Sequence, residues 1–73
     1  MKNYVKDFRQ ERGLSQKDLA RLVGVSRQTI NALENGRLNP SFILAYKITV
    51  LLNASTMEEL FVVDEDEIDW TPK

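Results

Sequence analysis

Gln16 to Asn35 reads QKDLARLVGVSRQTINALEN, and the spacing of its apolar and special residues decides the fold. Leu19, Ala20 and Val23 recur at helical intervals, and so do Ile30 and Leu33 further along. Ser15 and Ser26 each precede one of these segments and suit an N-cap, because a Ser hydroxyl accepts from the free N–H groups of a first turn. Gly24 stands between the segments and enters the left-handed region without the penalty a Cβ brings. The stretch predicts two short helices, one starting at Gln16 and the other at Arg27, joined by a tight turn. Ala20 lies where steeply crossing helices bring backbones close, so a larger side chain would wedge them apart. Val25 fills the corner.

Such a pair is a helix-turn-helix, whose second helix lies in the DNA major groove. That second helix spans Arg27 to about Asn35, where Asn35-Gly36 stops it, and Ile30 and Leu33 are its strongly apolar side chains. The rest of its surface is polar and must meet water or a partner.

Outward from this stretch the chain reads as helical. Helix 1 is expected over Asn3 to Arg12, with Val5 and Phe8 facing inward and Gly13 at its end; Leu14 then turns inward. Arg37 to Pro40 is a loop, and Asn39-Pro40-Ser41 leads into helix 4, Phe42 to Leu52. Helix 4 is apolar nearly all round, so one face can pack on helices 1 to 3 while the other needs its own cover. Thr56-Met57-Glu58-Glu59 reads as a capping box opening helix 5, with Leu60 and Phe61 pointing inward. Asn53 ends helix 4 because Asn tolerates the left-handed region.

Residues 62–73 form an acidic tail beyond a domain of residues 1–61. The acids Asp64 to Glu67 would repel DNA and should point away from it. Val62, Val63, Ile68 and Trp70 are candidates to cover the spare face of helix 4, in the same chain or across a dimer, since Trp70 offers large apolar area at low entropy cost. A frayed terminus is the other reading. Phe61 to Val63 could form a short strand with a dimer mate.

Bulk properties narrow the function. A chain of 73 residues makes one small domain that buries only about 60% of its unfolded surface, so packing between helices or dimerisation should help it. It has no Cys and no His, which removes thiolate ligands, the usual general base and the commonest nitrogen ligand. The acidic run lacks the spacing and Gly of a calcium loop. No cofactor or metal is expected, and an enzyme fits poorly: Ser15 and Ser26 have no base to activate them. Lys2, Lys6 and Asp7 interrupt any signal-peptide pattern, and Phe42 to Leu52 is too short to span a bilayer, so a cytoplasmic, nucleoid-associated location is expected. Net charge is −1, yet residues 1–37 hold eight Lys/Arg against four Asp/Glu, and residues 38–73 hold two against seven. The basic half coincides with the helix pair.

The segment LSQKDLARLVGVSRQTINALENGRLNPS, Leu14 to Ser41, resembles the phage-repressor and Cro-type helix-turn-helix regulators, also called the xenobiotic-response-element family. Ser15-Gln16, Ser26-Arg27-Gln28-Thr29 and Glu34-Asn35-Gly36 carry most of the likeness, which extends over about Val5 to Phe61. The resemblance implies an all-α, compact five-helix bundle that binds operator DNA in a sequence-specific way, usually as a homodimer. Two departures stand out: the loop Asn53-Ala54-Ser55 is one residue longer than the family's usual one, and the acidic tail is unusual.

Position and chemistry then assign roles. Arg27, Gln28, Asn31 and Ala32 are the candidate base readers: Arg suits the guanine O6/N7 edge, Gln and Asn the adenine N6/N7 edge, and an Ala methyl can touch thymine. Gln16 should meet a phosphate at the positive end of helix 2. Lys17, Thr29, Asn35, Arg37 and Ser41 are the other phosphate candidates, which set register and affinity rather than sequence preference. Blander readings compete: Ser15 and Gln16 as mere helix starters, and the polar face as solvated surface. By the same resemblance Arg9 and Glu34 form a structural ion pair between helix 1 and the end of helix 3, with DNA contact as the competing reading. Arg12 is either a phosphate contact or an exposed charge; Lys2, Lys6 and Arg21 read as plain surface. The leading expectation is a DNA-binding transcriptional regulator, a repressor on a near-palindromic operator. The runner-up is an antitoxin-like or adaptor module that holds a protein partner through helix 4 and the tail.

Overall fold

The computed structural model describes residues 1–68. Four α-helices stand among them: α1 (Val5–Glu11), α2 (Gln16–Val23), α3 (Arg27–Glu34) and α4 (Phe42–Leu51). A small antiparallel sheet pairs β1 (Lys2–Asn3) with β2 (Phe61–Val62), in the register Lys2 opposite Val62 and Asn3 opposite Phe61. Single 3₁₀ turns occupy Met57–Glu59 and Glu65–Glu67.

The helix pair forms for the reasons its sequence suggests. Ser15 Oγ accepts from the Asp18 N–H at 2.9 Å, and Asp18 Oδ2 accepts from the Ser15 N–H at 3.0 Å, a reciprocal box at the start of α2. Gly24 adopts φ 77°, and the Val25 N–H reaches back to the Ala20 carbonyl at 3.0 Å. A Cβ built on Gly24 would meet nothing within 4 Å. Backbone conformation, not space, is therefore what demands glycine there. Ser26 Oγ accepts from the Thr29 N–H at 3.1 Å and caps α3.

The core gathers one face of every helix: Val5 from α1; Leu19, Ala20 and Val23 from α2; Ile30 and Leu33 from α3; Ala45 and Ile48 from α4. Leu52, Leu60 and Phe61 close it. Each fully buried Leu or Ile contributes about 1.5–3 kcal/mol. Phe8 and Leu14 are half-buried against this cluster.

Three expectations need correction. The bundle has four α-helices among the described residues, not five. Met57–Glu59 makes one 3₁₀ turn, Thr56 gives no side-chain cap bond, and Leu60 and Phe61 are drawn into the core at once. A nucleus of one turn cannot propagate when the next residues leave for a strand. The strand does form at Phe61–Val62, and within the chain it pairs with Lys2–Asn3. Helix 1 accordingly starts at Val5, because Lys2 and Asn3 are committed to the sheet. Finally, the tail does not cover α4 within the described residues. Val62, Val63 and Ile68 are themselves exposed, as are Phe42 (71%), Ile43 (61%), Tyr46 (55%) and Val50 (60%). Trp70 lies outside the described residues.

Asn53 takes φ 56°, the conformation read for it, and ends α4. Asn3 has a role its sequence context hid. Its Nδ2 donates to the Leu33 carbonyl at 2.8 Å and its Oδ1 accepts from the Val5 N–H at 3.2 Å. One side chain thus starts α1 and adds a second donor to a carbonyl at the end of α3 that also accepts from the Gly36 N–H at 3.1 Å.

Candidate nucleic-acid interface

Because Ile30 and Leu33 are buried, the opposite side of α3 faces outward. Gln16, Ser26, Arg27, Gln28, Asn31, Ala32 and Arg37 line one open, concave face. The base-reading candidates Arg27, Gln28, Asn31 and Ala32 are all among them, together with the phosphate candidates Gln16 and Arg37. Lys17 lies in an adjoining shallow depression that Arg27 also borders, with Asp18, Ala20, Arg21 and Val25. Arg27 therefore sits between the two.

The remaining phosphate candidates are placed differently. The Thr29 hydroxyl is 2.9 Å from Ser26 Oγ, so it is engaged in the cap of α3. Asn35 Nδ2 donates to the Asn31 carbonyl at 2.8 Å and to Asn31 Oδ1 at 3.3 Å. That contact orients the Asn31 amide, leaving its nitrogen free to donate. Ser41 caps α4, accepting from the Leu44 N–H at 3.1 Å, and its hydroxyl proton remains available. Arg12 turns toward its own helix: Nη1 donates to the Phe8 carbonyl at 3.0 Å and the guanidinium sits 5.0 Å from the Phe8 ring centre.

Behind the concave face lies a buried charge cluster. Arg9 Nε donates to Glu34 Oε2 at 2.7 Å and Nη2 to Oε1 at 3.2 Å, while Nη1 donates to the Leu14 carbonyl at 2.7 Å. The Arg9 and Glu34 side chains are 9% and 2% exposed. A two-point guanidinium–carboxylate pair in such a setting fixes orientation as well as charge. Gln16 Nε2 joins it, donating to Glu34 Oε1 at 3.0 Å. Sequence reasoning missed this third member, because Gln16 and Glu34 belong to different helices and share no periodicity.

At the start of α2, the Asp18 carboxyl is held below its ordinary range. The chief cause is the hydrogen bond from the Ser15 backbone, followed by the Ser15 side chain, with Arg21 and Lys17 nearby adding attraction. The carboxylate and the box it closes keep Gln16 and Lys17 in the first turn, where unpaired N–H groups and the helix dipole favour an anion. No helix among the described residues is long and apolar enough to cross a membrane.

Comparison with known proteins finds relatives over most of the chain. The helix-turn-helix family model matches residues 5–60. An uncharacterised HTH-type transcriptional regulator of Methanothermobacter thermautotrophicus is 48% identical over 66 residues, covering 90% of this chain and 96% of that protein. The ImmF control region 10 kDa protein of Bacillus phage phi105 is 38% identical over 69 residues, covering 89% of this chain and 77% of the phage protein. Among solved structures, the restriction-modification controller protein C.AhdI from Aeromonas hydrophila superposes with a TM-score of 0.70 at 33% identity. That match covers 78% of this chain and 85% of the controller.

Proposed function

The chain belongs to the helix-turn-helix family of the phage-repressor and Cro type, and from that premise we propose that it regulates transcription by binding operator DNA through α3. It is a DNA-binding transcriptional regulator. The observation that carries the finer reading is the concave face itself. Arg27, Gln28, Asn31 and Ala32 share it with Gln16 and Arg37, while Ile30 and Leu33 hold the back of the same helix in the core.

In this reading Arg27 takes a guanine edge, Gln28 and Asn31 take adenine edges, and Ala32 meets a thymine methyl. Gln16, Lys17 and Arg37 hold the phosphate backbone on either side, with Ser41, Asn35 and Thr29 as weaker contacts. The protein acts as a homodimer on a near-palindrome, with two copies of α3 in successive major grooves roughly 34 Å apart. The exposed apolar residues of α4, Phe42, Ile43, Tyr46 and Val50, support self-association. Residues 1–61 bind DNA and the acidic tail keeps off it. Occupying an operator makes the protein a repressor, at work where the cell's DNA lies.

In vitro selection of bound DNA tests this, followed by fluorescence anisotropy on the winning sequence. A two-fold symmetric consensus is expected, with affinity falling steeply as salt rises. Absence of saturable, sequence-dependent binding at low salt overturns the reading.

A further inference from the structure

Glu34 accepts hydrogen bonds from two helices at once, and one of its donors belongs to the proposed DNA face. Oε1 receives Gln16 Nε2 at 3.0 Å and Arg9 Nη2 at 3.2 Å, and Oε2 receives Arg9 Nε at 2.7 Å. A carboxylate paired with a guanidinium is ionised and can only accept. Gln16 must therefore turn its nitrogen toward Glu34, which settles an orientation that amide shape alone leaves open. One N–H is committed to Glu34. The other N–H and Oε1 remain for the face that Gln16 shares with Arg27, Gln28 and Arg37.

We infer that Glu34 is a positioning residue for DNA binding, acting through Gln16; the inference rests on the DNA-binding reading above. A free Gln side chain has three torsions to immobilise when it meets a phosphate. Here the cluster has already fixed them at folding, so the donor is pre-aimed. The cluster also joins α1 (Arg9), α2 (Gln16) and α3 (Glu34) at one buried point. The phosphate anchor and the base-reading helix thus share a common hinge-free mount. A slip of α3 against α2 would break it, and the spacing between backbone and base contacts is held. If Glu34 served Arg9 alone, none of this would depend on Gln16.

The test is a double-substitution cycle of Gln16→Met and Glu34→Gln, read as affinity for the selected DNA at fixed salt, with circular dichroism to establish the folded fraction. Gln16→Met should weaken binding about tenfold. Glu34→Gln should weaken it several-fold in the parent chain but much less in the Gln16→Met background, a coupling of about threefold or more. Additive effects overturn the proposal. So does tighter binding by Glu34→Gln, which would mean that Glu34 competes with phosphate for the Gln16 amide.

A second readout needs no DNA. In the free protein the Gln16 side-chain amide protons should be well separated in the ¹⁵N–¹H spectrum and exchange more slowly than those of exposed Gln28. If Glu34→Gln fails to fold, this decides alone: a Gln16 amide that exchanges as fast as Gln28 overturns the proposal. If the parent chain binds no DNA, the functional reading falls and the positioning role with it. Amide protection would then mark a purely structural bond, a result distinct from additivity in a chain that does bind.

Discussion

Helices α3 and α4 solve the same problem with opposite surfaces. Each buries one face: Ile30 and Leu33 from α3, Ala45, Ile48 and Thr49 from α4. Outside, α3 shows Arg27, Gln28 and Asn31, whereas α4 shows Phe42, Ile43, Tyr46 and Val50. The rings of Phe42 and Tyr46 even stack on one another, 6.5 Å apart, with no core residue required. Under the function proposed above, the contrast gives the two exposed faces partners of opposite chemistry. A polar face on a rigidly seated helix fits the hydrogen-bonding edges of bases; an apolar face fits another apolar surface, for which a second copy is the occupant proposed above.

The strongest way to break the contrast is to unseat α3. Arg9→Met leaves Glu34 buried without its charge partner and should cost about 3–5 kcal/mol in urea unfolding. Adding Glu34→Leu should recover most of that loss, since an apolar pair of similar volume is often tolerated. The two faces can then be separated by function. Arg27→Ala should leave the urea midpoint unchanged and reduce affinity for selected DNA by about 1–3 kcal/mol, with relaxed preference at one base position. Phe42→Ser with Tyr46→Ser should do the reverse. Monomer stability stays within about 0.5 kcal/mol, while self-association measured by sedimentation weakens by about 2 kcal/mol.

Smaller changes sharpen the account of how α2 presents α3. Gly24→Ala should destabilise by about 1 kcal/mol, because the position requires φ 77° although there is room for the methyl. Asp18 supplies the smallest effect and the one tied to pH. Its folded carboxyl titrates below the ordinary value of 3.8, so its stabilisation is complete above that value and fades as pH falls through the lowered one. The thermal midpoint should therefore drop less steeply on the acid side in Asp18→Asn than in the parent chain. An identical acid limb in both would remove the box from the account of α2.

Much of this architecture is legible residue by residue. Ser15, Gly24 and Ser26 mark the helix pair through local chemistry, and Asn53 marks the end of α4, because caps and left-handed turns depend on a few adjacent atoms. The 3₁₀ turn at Met57–Glu59 was not legible. Its helical signal is real but short, and the pairing of Phe61–Val62 with Lys2–Asn3 outweighs it from more than fifty residues away. Asn3 and Gln16 were hidden for a related reason: their partners, Leu33 and Glu34, lie on α3, and no periodicity in one segment announces a bond to another.

Sequence alone determined where the helix pair begins and turns, which side chains α3 leaves in water, and that α4 carries more apolar surface than a small core can use. These follow from local capping, conformational preference and side-chain periodicity. Tertiary structure decided that Lys2–Asn3 and Phe61–Val62 meet as strands, that α4 keeps its apolar face uncovered among the described residues, and that Gln16 is tied to the buried Arg9–Glu34 pair. Each of those depends on contacts between segments far apart in the chain, whose free energy appears only once the intervening helices have packed.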